Sequence, residues 1–216
     1  LGVSPALGGC GDPSPYTARG VVAAMRAGWH ASSGTDSLVG TRISIQGAAG
    51  KVGSGVARLA AAEGAELLLS DIDADRVAQV ADETGGTVIG ADEALRVECD
   101  IVSPCAMGGI LTDRTVPELR CRLVCGAANN QLESDEVSAL LRAQGIDYVP
   151  DFVANAGGII AVAEERGGFD PERAFALADG IGDTVREIIA EADADGASAL
   201  TVARRRAARR LTEARA

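Results

Sequence analysis

Apolar residues in this chain fall in short runs that end on glycine or polar clusters, and amphipathic stretches lie between them. The clearest unit runs from Ile43 to Asp71, ISIQGAAGKVGSGVARLAAAEGAELLLSD. Ile43 and Ile45 mark a short strand, and Gly47, Gly50 and Gly53 a turn. Val52, Val56, Leu59 and Ala60 give the next stretch one apolar side at helical spacing, and Leu67 to Leu69 form a second strand that ends on Asp71. That order predicts a β-α-β unit with a glycine turn between strand and helix.

The same reading extends in both directions. Residues 1–13 read as loop, and Ser14-Pro15 opens a helix through about Trp29, with Ser14 as its cap and Val21, Val22 and Met25 on its apolar side. After Asp71 the pattern predicts a helix from Asp73 to Glu83, capped by Asp73, then a strand at Thr87–Ile89 and a helical turn at Asp92–Leu95. Strands follow at Cys99–Ser103, Leu123–Cys125 and Asp147–Val149, with helical stretches at Thr115–Leu119 and Ser134–Arg142. Beyond them the pattern is helical, with Pro171 starting one long helix and Ser198 or Thr201 starting the last. Alternating strands and helices predict an α/β fold, a doubly wound, mostly parallel, Rossmann-like sheet with a C-terminal helical extension. The expected organisation is a linker and hinge helix over 1–30, a nucleotide-binding domain over 31–160 and C-terminal helices over 161–216.

The turn carries specific chemistry. Its glycines let backbone N–H groups approach a pyrophosphate, and the helix that follows adds a partial positive charge. An acid at the end of the second strand accepts hydrogen bonds from both ribose hydroxyls and repels a 2′-phosphate, so Asp71 favours NAD over NADP. The spacing is G-x-x-G-x-x-G, one residue longer than the common G-x-G-x-x-G. Lys51, the only lysine in the chain, lies inside the turn, where it is either a phosphate contact or a solvated residue at the helix start.

Composition narrows the partners. A formal net charge of −11 argues against nucleic acid and anionic membrane surfaces. The absence of a membrane-length apolar run or a signal-peptide pattern predicts a soluble cytoplasmic protein. Cys10, Cys99, Cys105, Cys121 and Cys125 form no C-x-x-C pair, and His30 is the only histidine, which argues against a zinc site, a disulfide framework or a histidine-based triad.

The polar clusters GAAGKVG, SPCAMGG, GAANNQ and PDFVANAGG each follow a predicted strand, which places them on one sheet edge, where doubly wound folds bind ligands. Their detail resembles a known family. DIVSPCAMGGILTD, CGAANNQL and PDFVANAGGIIAVAEE, with VSPALGGCGDPSPYTARGVVAAMRAG, resemble over essentially the whole chain the cofactor half of the leucine, phenylalanine and valine dehydrogenases, of the glutamate dehydrogenase superfamily. The resemblance implies oxidation of an apolar L-amino acid to its 2-oxo acid and ammonia, with hydride passed to NAD. It places Thr17 by the nicotinamide carboxamide, and Gly47, Gly50 and Gly53, with Lys51 and Val52 in the same turn, at the pyrophosphate. Asp71 falls on the adenine ribose, Cys105 and Ala106 on the ribose and adenine side, Ala128 and Asn129 by the nicotinamide ribose, and Asn155 at nicotinamide and substrate. Cys105 equally fits as a small buried residue, and nothing marks it as a nucleophile.

The family's chemistry also uses two lysines and an aspartate on an N-terminal domain, and the lone Lys51 cannot fill those roles. Two explanations compete. Either the chain is the cofactor domain of a longer, homo-oligomeric dehydrogenase, with the helix over 14–29 as hinge, or it is a free-standing, non-catalytic NAD-binding module working with a partner chain. The basic C-terminal stretch ARRRAARRLTEARA suits such docking, or a solvated terminal helix. A third reading takes GAAGKVG as the turn of a small NAD(P)H-dependent imine or ene reductase. Short-chain dehydrogenases are excluded, because Tyr16 and Tyr148 have Gly20 and Phe152, not lysine, four residues on.

Overall fold

The computed structural model describes residues 2–214. Six strands form one sheet: β1 (Arg42–Gln46), β2 (Glu66–Ser70), β3 (Thr87–Val88), β4 (Ile101–Pro104), β5 (Leu123–Val124) and β6 (Asp147–Tyr148). All are parallel, in the order β3-β2-β1-β4-β5-β6. The chain leaves β1 toward β2 on one side and later returns to β4 on the other. The order therefore reverses between β1 and β4, and that crevice is the switch point of a doubly wound sheet.

Nine helices among the described residues cover the sheet and extend it: α1 (Ser14–Ser33), α2 (Lys51–Ala62), α3 (Ala74–Thr84), α4 (Glu136–Ala143), α5 (Asp151–Ala154), α6 (Gly157–Glu164), α7 (Pro171–Asp179), α8 (Ile181–Asp195) and α9 (Ala199–Glu213). Ile43, Ile45, Leu69 and Ile101 of the strands pack with Val21 and Met25 of α1 and Val56 and Ala60 of α2 in the main core. Each of the larger side chains contributes roughly 1.5–3 kcal/mol by leaving water. A second core under the other half of the sheet joins Val102 and Val124 to Val137 and Leu141 of α4.

Several boundaries differ from the pattern in the sequence. Ser14 is the first residue of α1, not its cap. Asp12 accepts from the Ser14 amide at 3.0 Å and from its hydroxyl at 2.7 Å, so the acid two residues upstream does the work expected of the serine. The long helix expected from Pro171 is two, α7 and α8, separated at Gly180. Asp170 caps α7 through the amides of Glu172 and Arg173. Residues 92–95 lie within a run of turns, with the Val97 amide donating to the Glu93 carbonyl at 2.9 Å, in keeping with the helical turn expected there. Asp73 and Ser198 do cap α3 and α9, accepting from the amides of Arg76 and Thr201. The arginines of α9 are largely engaged within the chain: Arg205 pairs with Glu191 at 2.7 Å and with Asp195, Arg206 with Glu187 at 2.6 Å, and Arg204 with Asp135. Among the described residues no helix is long and apolar enough to cross a membrane.

Candidate functional site

The loops after β1, β4, β5 and β6 follow four neighbouring parallel strands and so share the carboxyl edge of the sheet. The turn after β1 is tied to β2: the amides of Gly47 and Ala48 donate to the Ser70 carbonyl at 2.8 and 3.1 Å. Gly47 has φ 82°, and a Cβ on it would lie 2.8 Å from the Ala106 amide nitrogen. A Cβ on Gly53 would lie 2.1 Å from the Gly47 carbonyl oxygen. Both positions exclude a side chain, one by conformation and packing and the other by packing alone. Gly50 caps α2 without a side-chain bond, and its amide closes the turn onto the Gly47 carbonyl at 3.1 Å. The first helical hydrogen bond is from the Ser54 amide to Gly50, so the amides of Lys51, Val52 and Gly53 have no backbone acceptor among the described residues. These three donors at the positive end of α2 are the groups the site offers to an anion.

Asp71, half-buried at the end of β2, accepts from the Ala49 amide at 2.9 Å and from the Asp73 amide at 3.1 Å. Lys51, exposed at the start of α2, pairs with Asp12 at 2.9 Å. The Ser14 hydroxyl, and after it Lys51, hold the Asp12 carboxyl down at about 2.

Thr17 of α1, Val52 in the first turn of α2, Asn129 after β5 and Asn155 between α5 and α6 line one groove. The Asn155 amide donates to Asn129 Oδ1 at 2.7 Å and to the Ala127 carbonyl at 3.1 Å. Ala127 lines the groove, whereas Ala128 is buried beneath it and donates its amide to the Pro104 carbonyl at 2.9 Å. Thr17 Oγ1 bonds the Pro13 carbonyl at 3.2 Å and abuts Gly158, where a Cβ would lie 2.5 Å from it. Cys105 joins β4 to β1 through its amide, 2.8 Å from the Gln46 carbonyl, and burial raises its thiol pKa.

Four features escape a reading of the sequence. Gln131, fully buried, donates to the carbonyls of Gly126 and Ala128, both at 3.0 Å, and so shapes the loop after β5. Asp151, also buried, accepts from the Asn130 amide at 2.6 Å; Asn130 is the one non-glycine residue with positive φ, 53°, among those described. Ile159 and Val162 of α6 form an apolar wall of the Asn155 groove, and Ile159 is 76% exposed. Ile72, directly after Asp71, is 95% exposed on the same edge.

A parallel sheet in this strand order, with a glycine turn, a free helix N-terminus and a carboxylate at the end of the second strand, defines a Rossmann-like nucleotide-binding domain. Residues 69–168 match the family model for Glutamate/Leucine/Phenylalanine/Valine dehydrogenase. The leucine dehydrogenase of Bacillus cereus is 40% identical over 210 residues, 97% of this chain and 57% of the relative. The valine dehydrogenase of Streptomyces albus is 44% identical over 218 residues, 100% of this chain and 60% of the relative. The crystal structure of L-tryptophan dehydrogenase from Nostoc punctiforme superposes with a TM-score of 0.90 at 36% identity, covering 95% of this chain and 63% of that one. Over essentially its whole length the chain is similar to members of the glutamate/leucine/phenylalanine/valine dehydrogenase family. It spans a little over half the length of the curated relatives it matches.

Proposed function

We propose that this chain is the NAD-binding domain of an amino-acid dehydrogenase that oxidatively deaminates an apolar L-amino acid to its 2-oxo acid and ammonia. The observation that carries the reading is the convergence, at one switch point, of three free amides, a fixed carboxylate and a polar groove with an apolar wall. Similarity to the amino-acid dehydrogenases along 97% of the chain favours this reading over that of the turn as an imine or ene reductase's.

The residues present fit the cofactor. Lys51, Val52 and Gly53 keep amides without a backbone acceptor at the start of α2, and Gln46 Oε1, at the end of β1, is buried without a hydrogen-bond partner. NAD, when bound, supplies the hydride acceptor. The amides of Lys51, Val52 and Gly53 take the pyrophosphate, and Asp71 keeps lone pairs for ribose hydroxyls while carrying a charge that opposes a 2′-phosphate. Asp73 and Asp75 add negative charge just beyond it. Thr17 and Asn155 orient the nicotinamide end, with Asn155 held by Asn129 and Ala127. Ile159 and Val162 present an apolar surface to the substrate side chain and keep water from that side of the reacting carbon.

The chain's single lysine is paired with Asp12, which leaves no lysine to activate water or bind a substrate carboxylate. Catalysis in this reading draws those groups from a further domain or partner chain, in a cytoplasmic homo-oligomer. The same observation favours the second reading, a non-catalytic NAD-binding module. Titration with NADH and NADPH tests the first step, and adding the N-terminal domain of a family member and assaying L-leucine oxidation tests the second. Saturable NADH binding followed by restored oxidation supports the dehydrogenase domain. Binding with no oxidation supports the module, and no binding of either nucleotide overturns both.

A further inference from the structure

The glycine turn is one residue longer than the common spacing, and its amides show where the extra length goes. Gly47 and Ala48 both donate to the Ser70 carbonyl, and Ala49, next in line, donates to Asp71 Oδ2 at 2.9 Å. The other carboxylate oxygen accepts from the Asp73 amide at 3.1 Å, opening the approach to α3. No other side chain among the described residues bonds the backbone of 47–50, since Gly50 has no side-chain cap and Ala48 and Ala49 offer only buried methyl groups. Asp71 therefore joins three segments: the turn, the end of β2 and the start of α3.

We propose that the bond from the Ala49 amide to the Asp71 carboxylate is a latch that positions the turn, and through it the amides of Lys51, Val52 and Gly53, so that the residue facing the ribose also sets affinity for the pyrophosphate. A carboxylate has about four lone-pair sites, so two backbone bonds leave room for ribose hydroxyls. Asp71 is in this respect a positioning residue as well as a ligand. A hydrogen bond to a charged acceptor contributes more than a neutral one, and its loss at the turn corresponds to about ten-fold in affinity. The usual exchange of NAD for NADP preference by neutralising the ribose acid should fail here, because the same change releases the turn.

The test separates positioning from direct contact with a ligand that cannot use Asp71. Affinity for 2′,3′-dideoxyadenosine 5′-diphosphate, which has a pyrophosphate and no ribose hydroxyls, is measured by calorimetry for the 216-residue chain and for Asp71→Ala. Amide hydrogen exchange is followed in the same two proteins, with Asp73→Ala as control, since it removes the α3 cap and leaves the latch. Expected in Asp71→Ala is a fall of about ten-fold in dideoxy-ADP affinity and loss of protection at Ala49, with the amides of β1 and β2 still protected. Unchanged affinity and Ala49 protection in Asp71→Ala would overturn the latch, as would loss of protection across the whole sheet, which marks plain destabilisation. If Asp71→Ala does not fold, Asp71→Asn serves: it has one acceptor for two amides, so Ala49 protection and dideoxy-ADP affinity are kept together or lost together, and their moving apart refutes the coupling. The affinity arm rests on the dinucleotide reading and the exchange arm does not. A chain that binds no nucleotide yet protects Ala49 only when Asp71 is present sinks the cofactor reading and leaves the latch standing.

Discussion

Gly53 and Gly50 sit three residues apart in the same turn, yet the structure assigns them opposite tolerance to a methyl group. At Gly53, inside the first turn of α2, alanine should on helix propensity alone stabilise the chain by up to about 1 kcal/mol. The Cβ, however, would lie 2.1 Å from the Gly47 carbonyl oxygen and 2.9 Å from its carbon, backbone atoms that cannot swing aside. Relieving that overlap means opening the turn, at a cost of about 1–3 kcal/mol in close-packed regions and at its upper end here. The net loss for Gly53→Ala is about 2 kcal/mol, a fall in Tm of roughly 4–8 °C for a chain of this size. At Gly50 the backbone has φ −69°, open to any residue, and the added Cβ lies 3.2 Å from the same oxygen. Gly50→Ala should therefore stay within about 0.5 kcal/mol of the parent. Thermal unfolding and NADH titration of both variants check this. NADH affinity should fall at least about ten-fold in Gly53→Ala and about two-fold or less in Gly50→Ala. Equal Tm and equal affinity in the two would refute the packing argument, because propensity alone predicts that Gly53→Ala is the more stable.

Four further outcomes follow from named contacts. Asn155→Ala should weaken NADH several-fold and leave ADP unchanged in parallel titrations, because Asn155 shares its groove with Thr17 and Asn129, whereas Asp71 and the glycines of the turn do not line it. Gln131→Leu removes two bonds to the carbonyls of Gly126 and Ala128 but also an orphaned Oε1, so the net cost should be about 1–2 kcal/mol by urea unfolding. Asp12 is held at about 2 against an ordinary 3.8, and a depressed carboxyl contributes stability above its unfolded value that is lost as pH falls through the folded one. Stability should thus decline between pH 4 and pH 2 with a slope that Asp12→Asn reduces, by less than about 1 kcal/mol since the pair is exposed. Burial pushes the Cys99 thiol up to about 11 and that of Cys121 to about 12, so a thiol-disulfide reagent should label both slowly at pH 7 and faster as pH passes 9, in the folded chain only.

The β-α-β unit was legible because every feature of it is local: glycine spacing, helical periodicity and a terminal acid all lie between Ile43 and Asp71. The clustering of the four edge loops was legible too, since it follows from strand alternation alone. What stayed hidden depends on contacts that neither spacing nor periodicity encodes. Lys51 is left open in the sequence between a phosphate contact and a solvated lysine, and its pairing with Asp12, 39 residues away, is invisible there. The burial of Gln131 and Asp151 leaves no trace in polar stretches of sequence, because nothing there shows that Gln131 folds back on the carbonyls of Gly126 and Ala128 or that Asp151 reaches the Asn130 amide of the preceding edge loop. Ile159 and Val162 look like the core face of a helix, and only packing reveals that α6 turns them toward the groove. The break at Gly180 had a signal in the glycine pair of ADGIGD, which helical periodicity on either side masks. In the glycine turn, spacing shows the extra residue but not that its amide meets Asp71.

The most direct measurement is a fluorescence titration of the 216-residue chain with NADH and NADPH. Saturable NADH binding, at least about ten-fold tighter than NADPH and weakened in Gly53→Ala but not in Gly50→Ala, is the result expected of a site built from the α2 amides and Asp71. Absence of NADH binding, or equal binding of the two nucleotides, would contradict it.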